Sequence, residues 1–92
     1  MRIDVWRAKV DTIDDQIVAL LNLRISLVQE IVAQKTHEKL PLRDSQREQE
    51  ILLRAHQFND GPMDDCAVNK IFGLIISESR RIAIEAISIP AP

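Results

Sequence analysis

The sequence predicts an all-α fold of three helices, the first of them long. Ile3, Trp6, Val10, Ile13, Ile17, Leu20, Arg24, Leu27 and Ile31 recur with alternating gaps of three and four, the spacing of an amphipathic or coiled helix. No proline or glycine interrupts the stretch from Ile3 to Glu38, and no strand-like alternation, internal repeat or low-complexity tract occurs. At 1.5 Å per residue the first helix would be roughly 50 Å long. A compact monomer of 92 residues is only about 24 Å across, taken as twice its radius of gyration. The chain is therefore expected to form one domain over 1–92 whose first helix needs a second copy to cover its apolar stripe.

The elements follow in order. Helix one covers about 3–38 and fades between Thr36 and Leu40, because Pro41 disfavours helical geometry in the residue before it. Lys39-Leu40-Pro41-Leu42-Arg43 reads as an extended connector. Asp44 caps helix two, about 44–59, with Glu48 in its positive first turns and Ile51, Leu52, Ala55 and Phe58 as its buried face. Asn59-Asp60-Gly61-Pro62 ends it. Asp64 caps helix three, about 64–87, which carries Val68, Ile71, Phe72, Ile75, Ser79, Ile82 and Ala86 on one stripe. Pro90 and Pro92 close a short tail.

Composition excludes several classes of function. A net charge of −2 and a pI near 5.6 supply no basic field, and only Trp6, Phe58 and Phe72 could stack on bases, so nucleic acid is not an expected partner. The lone Cys66 excludes an internal disulfide and forms no metal-ligating spacing with His37 or His56. A reducing cytoplasm fits best. No apolar run is expected to approach the roughly 18 to 20 residues of a membrane span, and Met1-Arg2-Ile3-Asp4 does not read as a signal peptide.

Arg24 stands on the seam where a leucine is expected, with Leu20, Leu21, Leu27 and Val28 around it. A guanidinium there costs several kcal/mol unless something anionic meets it. The ordinary partner is a carboxylate from another helix; the sharper one is an anionic ligand. Lys35 follows by 11 residues, close to three turns, and so points to nearly the same side about 16 Å along the axis. Taken alone it is a solvated lysine at a helix end. Ser79 is a hydroxyl on an apolar seam, ordinarily a small packing residue bonding its own backbone. Arg7 precedes Arg24 by 17 residues, roughly 25 Å and about 100° off its face. The two arginines cannot easily converge within one chain but could do so across a dimer of antiparallel long helices; otherwise Arg7 is an exposed residue beside Trp6.

Together these residues resemble a known pattern. Trp6 to Ile17, Leu20-Leu21-Asn22-Leu23-Arg24 and Lys35 are similar to the first helix of the all-helical chorismate mutases, the AroQ class. The likeness continues through Pro41 to Glu48 and from Ile71 to Ser79, so it spans nearly the whole chain. It implies an intertwined helical homodimer with each site built from both chains. It further implies that Arg24 and Arg7 of the partner subunit hold two substrate carboxylates, while Lys35 approaches the enol ether oxygen and one carboxylate. Glu48 and the backbone near Asp44 would receive the ring hydroxyl, Arg47 would shape the local field, and Ser79 would assist at the ring carboxylate.

The chemistry suits these residue types. Chorismate to prephenate is an intramolecular rearrangement that needs restraint of the side chain over the ring and positive charge at the ether oxygen, with no nucleophile, metal or cofactor. One position departs from the family: where a Gln or Glu usually stands four residues after the serine, this chain has Ala83, which is expected to face the same pocket and leave Lys35 as the principal donor. Glu85 lies about 200° further round the helix and cannot replace it. Other readings are therefore a homologous enzyme for 4-amino-4-deoxychorismate or isochorismate, or a helical dimerisation module without turnover.

Overall fold

The computed structural model describes residues 2–88, and these are helical throughout apart from two connectors, with no strand among them. Helix α1 spans Arg2–His37, α2 spans Ser45–Phe58 and α3 spans Asp65–Ser88. Pro90 and Pro92 lie outside the described residues.

Side-chain caps open α2 and α3. The Asp44 carboxylate accepts from the Arg47 backbone N–H at 3.0 Å, and Asp64 accepts from the Ala67 N–H at 2.8 Å. The end of α1 is set differently from the sequence reading. Leu40 N–H donates to the Lys35 carbonyl at 2.8 Å and Lys39 N–H to that of Thr36 at 3.2 Å, with Lys39 at φ 58°. This is a Schellman stop with a lysine in the left-handed position that glycine usually fills, so the helix turns off two residues before Pro41. Lys39→Gly should relieve that backbone and raise stability by about 0.5–1 kcal/mol, measurable as a shifted urea midpoint at unchanged slope.

Helix α3 packs against α1 on one side and α2 on the other. The result is a slab of 55 × 34 × 15 Å, little thicker than a single helix with its side chains. Its radius of gyration is 16.5 Å, against about 12 Å for a compact chain of this length. Only Val32, Val68, Ile76 and Ala83 are buried apolar residues among those described, with Ser79 the one buried polar side chain.

The buried face of α3 runs through Val68, Ile76, Ser79 and Ala83, turned by roughly 40–50° from the predicted stripe. Ile71 and Ala86 are exposed as a result, because this helix has to face two neighbours. On α2, Ile51, Leu52 and Ala55 are half-buried as expected, whereas Phe58 is 89% exposed at the helix end.

Residues 2–20 of α1 are exposed along their whole length, including Trp6, Val10, Ile13, Ile17 and Leu20. By length and composition α1 is apolar enough to cross a membrane, which amends the sequence reading on that point. The difference arises because only Arg24 and Glu30 interrupt the stretch from Gln16 to Ala33, and the fold gives Arg24 a polar partner.

A polar latch joins α2 to α3. His56 Nδ1 lies 3.1 Å from Asp65 Oδ1, and its Nε2 lies 2.7 Å from Asn69 Oδ1. Two oxygen acceptors favour the doubly protonated ring, so Asn69 first and Asp65 next raise the His56 pKa above its ordinary value. A raised folded-state pKa stabilises fully below the unfolded value of about 6.5 and is lost as pH rises through the folded value. The thermal midpoint should therefore fall as pH rises from about 6.5 through the raised folded-state value, and this part of the dependence should vanish in His56→Gln.

Candidate active site

The last third of α1, the connector, the first turns of α2 and the middle of α3 enclose a cleft of about 260 Å³. Its apolar wall includes Leu27, Val28, Ile31, Val32, Ile51 and Ile76. Its polar lining holds six of the eight residues singled out in the sequence: Arg24, Lys35, Asp44, Arg47, Glu48 and Ser79.

Two are placed elsewhere. Arg7 lies on the exposed start of α1, in a shallow groove with Ile3, Trp6, Val10 and Asp11. It is roughly 25 Å along the helix from Arg24 and does not converge with it within one chain. Ala83 does not line the cleft, contrary to the expectation from its spacing to Ser79. It is one turn beyond Ser79 and fully enclosed, so a glutamine there would have to displace packed neighbours.

Ser79 explains how Arg24 is tolerated on the seam. The Arg24 guanidinium donates to Ser79 Oγ at 3.0 Å, and that hydroxyl donates to the Ile75 carbonyl at 2.5 Å. Ser79 thus bonds its own helix backbone and also fixes the arginine. The ordinary expectation of a carboxylate partner is not met: no ion pair among the described residues includes Arg24. Burial, and then the neighbouring Arg47, push the Arg24 pKa below the usual arginine value. Arginine remains charged even so. The guanidinium is anchored by a neutral group and keeps its charge available.

The carboxylates of the cleft are already engaged. Asp44 spends an oxygen on the cap of α2. Glu48 pairs through Oε1 with Arg80 Nη1, and its Oε2 lies 3.5 Å from Arg43 Nη2. Arg47 points partly outward, 3.4 Å from Glu50. Arg24, Lys35, Arg47 and Arg80 face only Asp44 and Glu48 across the cleft, leaving a surplus of two positive charges. Such a pocket suits a compact dianion.

Arg80 and Arg43 do not stand out in the sequence. Arg80 is about 100° round the helix from Ser79 and so falls off the apolar seam that draws attention to its neighbour. Arg43 lies in a connector with no periodicity to read. A larger hollow of about 710 Å³ adjoins the cleft, shares Arg24 and Arg47 with it, and is walled by Ala55, Phe58, Met63, Val68 and Phe72.

An all-helical chain with a cationic, apolar-walled cleft suits a binder of small anions, and comparison with known proteins narrows that class. A family model for chorismate mutase type II matches residues 6–84. Two solved structures of chorismate mutase from Thermus thermophilus are similar to this chain. Form I has 38% sequence identity and a TM-score of 0.84, covering 86% of this chain and 99% of that one. Form II has 36% identity and a TM-score of 0.88, covering 90% and 94%. No curated protein matches. The chain belongs to the chorismate mutase type II family, a family of soluble enzymes, and its activity is the isomerisation of chorismate to prephenate.

Proposed function

We propose that the catalytic unit is an intertwined homodimer, each chain a single domain over 1–92, with the cleft completed by Arg7 of the partner subunit. The observation that carries this reading is Arg24, a half-buried cation held by a hydroxyl and paired with no carboxylate among the described residues. A substrate carboxylate supplies the missing anion. The exposed apolar half of α1 supports the dimer, since a water-facing row from Ile3 to Leu20 is covered only by another chain. The larger hollow beside Arg24 and Arg47 has apolar walls suited to such a second helix next to the cleft.

In this arrangement Arg24 and Arg7 of the partner subunit clamp the two carboxylates bidentately, fixing the enolpyruvyl side chain over the ring. Lys35 places its ammonium at the ether oxygen, where negative charge grows as the C–O bond breaks. Glu48 and the backbone near Asp44 take the ring hydroxyl, Ser79 supports the ring carboxylate, and Arg47 adds to the field. With alanine at 83, Lys35 is the principal donor to the ether oxygen, which predicts a slow mutase. The reaction takes place in the cytoplasm.

Incubation of the purified protein with chorismate, isochorismate and 4-amino-4-deoxychorismate in separate reactions tests the assignment. Chorismate loss with stoichiometric prephenate is the expected result. Turnover of only one of the other acids, or of none, rejects it. Light scattering during gel filtration should give about twice the chain mass of 10.5 kDa.

A further inference from the structure

We propose that Arg80 is a positioning residue which, by pairing with Glu48, makes the site select a neutral ring hydroxyl over a protonated amine at the same ring carbon. The inference rests on the reading that Glu48 faces that ring substituent. An unpaired glutamate there would attract an ammonium group at least as well as a hydroxyl. Glu48 is not unpaired: Arg80 from α3 donates to its Oε1 and Arg43 from the connector lies at 3.5 Å from its Oε2.

The two arginines are unequal. The Arg80 and Glu48 side chains are 27% and 20% exposed, whereas Arg43 is 68% exposed and correspondingly screened by water and salt. Arg80 therefore sets the charge that an incoming group meets. Its guanidinium cancels most of the attraction between Glu48 and a cation. A hydroxyl carries no net charge. It needs only an unused lone pair on a carboxylate oxygen, and each oxygen can accept more than one hydrogen bond. The pair also ties α2 to α3 at the cleft wall, which holds the carboxylate in one orientation without relying on the connector.

The test is the ratio of kcat/KM for chorismate to that for 4-amino-4-deoxychorismate, which bears an amine in place of the hydroxyl. Measured for the intact protein near neutral pH, the ratio should fall about tenfold or more in both Arg80→Gln and Arg80→Met. Arg80→Lys, which keeps the charge, should hold the ratio near that of the wild type. In a Glu48→Gln background, Arg80→Gln should leave the ratio unmoved, since no carboxylate remains to be neutralised. An unchanged ratio in both neutral Arg80 variants, with the wild type active on chorismate, overturns the proposal and leaves the functional assignment standing. A full shift in the Glu48→Gln background overturns it as well, because Arg80 would then act on the substrate directly. A wild type inactive on both acids overturns the proposal together with the functional reading. A purely structural role would lower both rates together and leave the ratio and the lysine rescue unmoved.

Discussion

Arg24→Ala is expected to lower kcat/KM for chorismate by more than two decades while the protein remains folded. The guanidinium is half-buried, donates to Ser79 and pairs with no carboxylate among the described residues, so its charge is available to a ligand. Losing a desolvated clamp on a carboxylate costs on the order of 3–5 kcal/mol, and each 1.4 kcal/mol is about a factor of ten in rate. Stability should hold or improve. Truncation removes a charge from an apolar seam and leaves behind Ser79, which still donates to the Ile75 carbonyl. The distinguishing measurement is therefore a pair: steady-state kinetics with chorismate and a thermal melt of the same sample. A variant that keeps its turnover returns Arg24 to a structural role. One that loses turnover along with its melting transition shows a folding defect and no specific clamp.

Periodicity made α1 legible because a run of 36 helical residues without glycine or proline admits no other regular structure. The same reading found Arg24, since a cation on a seam stands out against its apolar neighbours. The cleft residues Lys35, Asp44, Arg47 and Glu48 were reached through family likeness, as each looks like an ordinary cap or surface charge on its own. What escaped the sequence was relational. The rotation of α3 depends on its having two partners, which a single stripe does not encode, and this moved burial from Ile71 to Ile76 and enclosed Ala83. The stop of α1 escaped because a lysine occupies the left-handed position, where only glycine or asparagine would have signalled it. Arg80 escaped because its partner, Glu48, is 32 positions away on another helix. An ion pair between elements has no local period.

Arg7→Ala and Lys35→Ala should each lose at least two decades of activity as homodimers, yet regain about a quarter of wild-type activity when unfolded and refolded together. The reason is geometric. Arg7 lies roughly 25 Å along α1 from Arg24 on a different face, so a rigid helix forbids both from reaching one small ligand within a chain. In a heterodimer of the two variants, one site combines the intact Lys35 of one chain with the intact Arg7 of the other, while the second site lacks both. Random assortment makes half the dimers mixed, each with one working site, which fixes the expected yield at about a quarter. A tag on one chain would allow the heterodimer to be isolated, and its activity should approach about half that of the wild type. Full inactivity of a verified heterodimer would mean that Arg7 is not delivered across the interface to the partner's cleft. Activity of the Arg7→Ala homodimer at wild-type level would reduce Arg7 to an exposed residue beside Trp6, and the second cation of the carboxylate clamp would then have to come from Arg47 or Arg80 in the cleft itself.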